Sequence, residues 1–177
     1  MMTMWVFGYG SLLWNPGFEV AQSSVATLGG YVRSFCMRSI HHRGSVAEPG
    51  LVLALDAVVG GSCNGLALGV ASGHEDRTLD YLRERELISS AYVERNLAVT
   101  LADGQSVTAL TYVIDPDHVQ YCGGLPLAEQ ADIIAYAVGG LGPNTEYLFN
   151  TTSHLAEIGL NDPDLDWLST RVRNIVA

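Results

Sequence analysis

Lysine is missing altogether: all nine basic residues among the 177 are arginine. Without a primary side-chain amine no Schiff base or lysine nucleophile can form, and that branch of covalent catalysis is excluded. Positive charge is scarce in general. Nineteen Asp and Glu residues leave a formal net charge of -10, which repels phosphate backbones and anionic lipid and argues against nucleic acid and membrane partners. Cysteine is sparse too. Cys36, Cys63 and Cys122 are odd in number, widely spaced and form no Cys-X-X-Cys, so they read as reduced thiols of a cytoplasmic protein. No apolar run is long enough to span a bilayer. The start Met1-Met2-Thr3-Met4 lacks the basic and apolar regions of a signal peptide. A Gly-X-Ser-X-Gly elbow is absent, which leaves a serine triad without support. The histidines show no metal-ligand spacing: His74, His118 and His154 stand alone, and adjacent His41 and His42 would face opposite ways on a strand. The expected metal and cofactor complement is therefore none.

What is present is a globular composition, with 48% hydrophobic and 16% charged residues. No linker or repeat divides the chain, so a single domain over residues 1–177 is expected. Its first part reads as strands: Val6–Tyr9, Val25–Cys36, Leu51–Val58 and Gly65–Val70, the last two separated by Gly60-Gly61-Ser62. A helix is predicted from His74 to about Leu87. Strands near Val93–Leu101 and Val107–Ile114 flank Asp103-Gly104, a strong hairpin signal. The remainder is helical. One helix starts at Pro126 and carries Leu127, Ala131, Ile134 and Val138 before Gly139-Gly140, a second is capped by Asn144, and a third begins at Asp162-Pro163. The fold class predicted is α+β, a mixed, mainly antiparallel sheet, either curled or closed into a small barrel, with surrounding helices.

Two local features carry chemistry. The first is Trp5-Val6-Phe7-Gly8-Tyr9-Gly10-Ser11-Leu12, an apolar strand running into a Gly-Tyr-Gly-Ser turn. Glycines let a backbone turn sharply and approach a ligand, and such a turn can aim N–H groups at a carboxylate or oxyanion. It is neither a P-loop nor a dinucleotide fingerprint. By itself it equally describes an ordinary turn.

The second is Glu86. Leu79 and Leu82 mark the buried stripe of its helix, and Glu86 falls four residues after Leu82 on that stripe, whereas Arg77, Asp80 and Glu84 face solvent. A carboxylate on the apolar side loses hydration, which raises its pKa toward that of a neutral-pH general base. Alternatively the helix ends before Glu86, or Arg83 or Arg85 pairs with it. Cys36, in a strand-like apolar run, reads as a buried inert thiol.

Together the turn, Arg85-Glu86 followed by Tyr92, and Asn144-Thr145-Glu146-Tyr147-Leu148-Phe149 resemble the ChaC branch of the gamma-glutamylcyclotransferases. Further matches are Trp14-Asn15-Pro16, Ser34-Phe35-Cys36, His42-Arg43-Gly44 and Ile114-Asp115-Pro116, in family order from Trp5 into the last helix. The resemblance implies cleavage of glutathione to 5-oxoproline and cysteinylglycine with neither cofactor nor metal. It assigns to Glu86 the proton transfers, and to Val6, Phe7, Gly8, Tyr9, Gly10, Ser11 and Leu12 the grip on the γ-glutamyl group. It also implies that the Tyr147 hydroxyl reaches the site, although spacing alone equally describes a helix-face aromatic with its phenol in solvent. Arg43 is a candidate for the glycine carboxylate of glutathione, or equally for a surface ion pair or a loop carbonyl.

Two departures from the family pattern bear on the leaving group. Ser39-Ile40-His41-His42-Arg43-Gly44 stands where some members have Ser-Thr-Asp-His-Arg-Gly, and Leu87-Ile88-Ser89-Ser90-Ala91 replaces the Gly-Gly spacer of animal members. Rival functions are a cyclotransferase with another leaving amine and a catalytically idle γ-glutamyl-binding regulator. Comparing γ-glutamyl substrates separates the first; 5-oxoproline formation separates the second.

Overall fold

β1 (Trp5–Gly8) is short and its Val6 and Phe7 are fully buried. Glycine ends it, and the chain passes through Tyr9 and Gly10 into a single helical turn, α1 (Ser11–Trp14). β2 (Val20–Ser39) and β3 (Gly50–Val70) are long, and α2 (Glu75–Glu86) follows. β4 (Tyr92–Leu101) and β5 (Ser106–Ile114) come next. In this computed structural model residues 3–87 and 90–177 are described. Met1 and Met2 of the start, and Ile88 and Ser89 of the spacer after Glu86, lie outside them.

The strands close into a barrel in the order β1-β3-β2-β4-β5. β1 is antiparallel to β3, with Gly8 opposite Leu66, and parallel to β5, with Val6 opposite Leu110. Closure leaves these strands no free edge; of the curled sheet and the closed barrel left open by the sequence, the barrel is the one found. β5 is buried continuously from Ala109 to Ile114, as a strand covered on both faces must be. The β4–β5 turn has the predicted chemistry. Gly104 takes φ +88°, and the Asp103 carboxylate accepts from Gln105 N–H at 2.9 Å.

The chain folds as two compact units, each assembled from two stretches of sequence. One takes the chain up to Arg33 with Ala54–His118; the other takes Ser34–Leu53 with Val119–Ala177. Neither is a contiguous segment, which is why no linker shows in the sequence. The first unit holds the β1–β3, β1–β5, β2–β4 and β4–β5 registers and a core of Val6, Leu12, Leu68, Val70, Leu82, Leu110 and Tyr112. In the second, α3 (Leu127–Tyr136), α4 (Asn144–Glu157) and α5 (Pro163–Val176) pack on one another.

Local expectations fail in four places. Gly60-Gly61-Ser62 does not separate two strands: β3 runs on through it, with Gly60 at φ +77°. The expected helix from Pro126 through Val138, α3, stops at Tyr136, because Ala137 is extended and Val138–Gly139 pairs with Gly142–Pro143 as a two-residue ladder, β6 with β7. His41 and His42 lie in a bend, both exposed, and their carbonyls accept from Gly140 and Leu141 N–H. They are not on a strand.

Asn144 is the first residue of α4, not its side-chain cap. Its amide is used elsewhere. Oδ1 accepts from Leu51 N–H and Nδ2 donates to Leu51 O, each at 2.8 Å, in a fully buried setting. The side chain thus pairs with a strand residue as a neighbouring strand would. Asn144→Ala leaves both Leu51 groups without that partner, and the expected loss is about 2–6 kcal/mol, at 1–3 kcal/mol for each buried orphaned group. Urea unfolding of both proteins measures it; a loss below about 1 kcal/mol would mean that water replaces the amide.

Candidate active site

Glu86 is the last residue of α2, so the helix does reach it. Its position follows from the stripe beneath: Leu82 is fully buried in the barrel-side core, with Leu79 and Leu87 packed against the same cluster. Arg77, Asp80 and Glu84, on the opposite side, are exposed, as their spacing predicts. The Glu86 side chain keeps 14% of its exposure. Burial pushes its carboxyl above the ordinary carboxylate range, and the nearby Arg85 charge draws it part of the way back.

The two arginines of the last helical turn divide their tasks. Arg83 reaches β4, where Nε and Nη2 donate to Glu94 Oε1 and Oε2, both at 3.0 Å. That pair and a hydrogen bond from Tyr112 hold the Glu94 carboxyl below its usual range. Tyr112 is buried, and burial pushes its phenol well above the ordinary value, so it stays protonated. Arg85 is the residue beside Glu86, with Nε 3.4 Å from Oε1.

The Gly-Tyr-Gly-Ser turn belongs to the same unit as Glu86 and is held from several directions. Val6, Phe7, Gly8, Tyr9, Gly10 and Leu12 are buried, and Ser11 is partly so. The Tyr9 hydroxyl donates to Tyr112 O at 2.9 Å, and Tyr9 O accepts from Arg33 Nε at 2.7 Å. Tyr9 thus links β1 to β5 through its ring and to β2 through its backbone. The β3 backbone passes against the turn at Gly65, where a Cβ would stand 2.3 Å from Gly8 O. Sequence reasoning singled out the turn but passed over Gly65 and Arg33. Neither has a local signal, since each acts on the turn from a distant strand.

Arg43 and Tyr147 meet in the second unit. The Arg43 guanidinium sits 5.9 Å from the Tyr147 ring centroid, donates to Pro143 O at 3.0 Å and pairs with Glu146 at 3.5 Å. Its side chain is only 5% exposed. Of the alternatives left open by the sequence, an ion pair and a loop carbonyl are both present here. The Tyr147 ring stacks edge-on against Phe35 at 6.0 Å, and its hydroxyl accepts from Leu53 N–H at 3.1 Å. The phenol is therefore engaged with backbone, not directed to solvent.

Among the described residues no group of three His, Cys, Asp or Glu side chains is placed to hold a metal ion. Among them, too, no helix is long and apolar enough to cross a membrane. Cys36 and Cys63 are buried and form no disulfide.

The family model for ChaC-like proteins matches residues 4–175. The chain is 36% identical over 174 residues to the glutathione-specific gamma-glutamylcyclotransferase of Escherichia coli (strain K12), covering 98% of this chain and 74% of that one. It is 34% identical over 182 residues to gamma-glutamylcyclotransferase 2-3 of Arabidopsis thaliana, covering 99% and 92%. Among solved structures it is similar to the glutathione-specific gamma-glutamyl cyclotransferase from yeast. The TM-score is 0.88 over 98% of this chain and 97% of that one; at 22% identity the likeness speaks to the fold.

Proposed function

We propose, for a chain that belongs to the ChaC-like family, that it cleaves glutathione to 5-oxoproline and cysteinylglycine by intramolecular aminolysis. The observation that supports this most directly is a desolvated carboxylate, Glu86, tied through Arg85 to the Gly-Tyr-Gly-Ser turn. The α-amine of the glutamyl group attacks its own γ-carbonyl carbon, a C–N bond forms, and a five-membered lactam closes. The amide C–N bond to cysteine breaks, and its nitrogen leaves as an amine.

Each step needs a proton moved. The α-amine is mostly protonated near neutral pH and attacks only once it has lost a proton. The departing nitrogen must gain one. A carboxylate whose pKa is raised by burial holds a proton well enough to take it and pass it on. Glu86 does both in this proposal. The turn from Val6 to Leu12 holds the γ-glutamyl group, with backbone donors toward its α-carboxylate and the developing oxyanion. Orientation of amine and carbonyl in a near-attack pose contributes up to roughly 7–11 kcal/mol in favourable systems.

The proposal rests on residues of the barrel unit. Arg43 and Tyr147 enter it as family-matched positions, and their observed partners are Pro143, Glu146 and Leu53.

The test is release of 5-oxoproline by purified protein from reduced glutathione and, in parallel, from γ-glutamyl-alanine. Glutathione is expected to give the larger kcat/KM. An equal or larger value for γ-glutamyl-alanine would replace this reading by a broader cyclotransferase, and no 5-oxoproline from either would leave the binding protein. Because the sequence shows neither a metal-ligand cluster nor a phosphate-binding motif, EDTA is expected to leave the rate unchanged. Loss on chelation, restored by a divalent ion, would overturn that expectation.

A further inference from the structure

Arg85 makes more polar contacts around this site than the pairing with Glu86 accounts for. Its Nη2 donates to Ser11 Oγ at 3.0 Å, inside the turn itself. Its Nη1 donates to Asn15 O at 2.6 Å, Pro16 O at 3.2 Å and Tyr81 Oη at 3.1 Å. Its Nε lies 3.4 Å from Glu86 Oε1. The segment it grips is continuous with the turn through α1, where Asn15 N–H donates to Ser11 O at 2.7 Å. The same segment is seated tightly on α2. Gly17 has φ +75°, and a Cβ there would stand 1.9 Å from Tyr81 Oη.

We propose that Arg85 is the positioning residue of the site, one planar cation that fixes the distance between the Glu86 carboxylate and the turn holding the γ-glutamyl group. This rests on the reading of Glu86 as the base. The fork geometry is what the role requires: guanidinium presents donors in several fixed directions, whereas an ammonium is a point charge on a flexible stem. Arg83, two positions earlier, shows the contrast, since both of its hydrogen bonds go to Glu94 on β4.

Two jobs follow, and two variants separate them. Arg85→Lys keeps a positive charge beside Glu86 but cannot serve Ser11, Asn15, Pro16 and Tyr81 together. KM for glutathione is expected to rise roughly 10-fold or more, because a displaced turn no longer grips the γ-glutamyl group as tightly. The acid limb of its kcat–pH profile should stay near the wild-type position. Arg85→Met loses both charge and fork, so KM rises and the acid limb also moves to higher pH, by about one pH unit or more. The sign follows from the chemistry: Glu86 must be ionised to accept the proton, and Arg85 is the cation that favours the ionised form. Tyr112 from β5 also feels the Glu86 charge; it is protonated and bonded to Glu94, which pairs with Arg83. Neither variant alters these.

The experiment measures kcat and KM for 5-oxoproline release across pH, with thermal melts, for wild type, both Arg85 variants and Glu86→Gln. A wild-type KM in folded Arg85→Lys, or an unmoved acid limb in folded Arg85→Met, overturns the proposal. If Arg85→Met does not fold, Arg85→Lys decides, since it must combine a raised KM with an unmoved limb. An active Glu86→Gln sinks the base assignment itself. An inactive Glu86→Gln with silent Arg85 variants sinks only the positioning role.

Discussion

Glu86→Gln lowers kcat for glutathione by about 10²–10⁴-fold, the usual worth of general acid–base catalysis. The amide keeps the size and hydrogen-bonding reach of the carboxyl but accepts no proton at any accessible pH. KM should change little, because the γ-glutamyl group is held by the turn after Phe7. Glu84→Gln is the matched control. It lies on the same helix but is exposed, and it should be nearly silent. Steady-state kinetics on both variants decide the matter. An active Glu86→Gln, or an equally dead Glu84→Gln, would mean that the working carboxylate is another one.

The same substitution has a thermal signature. Glu86 is held above its ordinary pKa in the native state by burial. Just above the ordinary carboxylate pKa the native protein keeps a proton that the unfolded chain has lost, so stability falls as pH rises through that window. At neutral pH the native protein carries the cost of an ionised, poorly hydrated carboxylate. Glu86→Gln removes that cost and should melt higher than wild type near pH 7. Below about pH 4, where the carboxyl is protonated in both states, the difference should vanish. Melts at both pH values test this. An advantage that persists unchanged into acid would mean that it comes from packing instead.

Gly65→Ala is expected to lower kcat/KM by roughly 10²-fold, although Gly65 lies on β3 and contributes no functional group. Its Cβ would stand 2.3 Å from Gly8 O and 3.0 Å from the Phe7 ring. The nearer atom is backbone, so β1 or β3 must move, and displacement of about 1 Å in a positioning element costs on that order. Overpacking of this kind also destabilises by about 1–3 kcal/mol. Gly29→Ala is the control: nothing lies within 4 Å of its would-be Cβ. Full activity in Gly65→Ala would show that the turn tolerates a shift of its neighbouring strand, and its role in orienting substrate would fall.

Much of this protein is written in its local sequence. The alternation and apolar run of β4 and β5 with Asp103-Gly104 between them form a hairpin on their own terms, because strand propensity and turn chemistry agree there. Leu79, Leu82 and Glu86 share a face because helical spacing leaves no other choice. Glycines on both sides of Tyr9 mark the turn before any partner is known. These are short-range facts, and residue order alone determined them.

Long-range pairing decided the rest. Nothing near Asn144 says that its amide will bond Leu51 rather than cap its own helix; that depends on a strand 93 residues away in sequence. Gly60-Gly61-Ser62 looks like a stop, yet β3 continues through it, with Gly60 taking the left-handed conformation that glycine allows. Whether Arg83 or Arg85 would neutralise Glu86 was likewise undecided by spacing. Tertiary structure sends Arg83 to Glu94 and places Arg85 between Glu86 and Ser11. Burial then outweighs the remaining positive charge and keeps the Glu86 carboxyl raised. Composition and periodicity specify which face a side chain takes, but its partners and its hydration are set only when distant strands close the barrel around it.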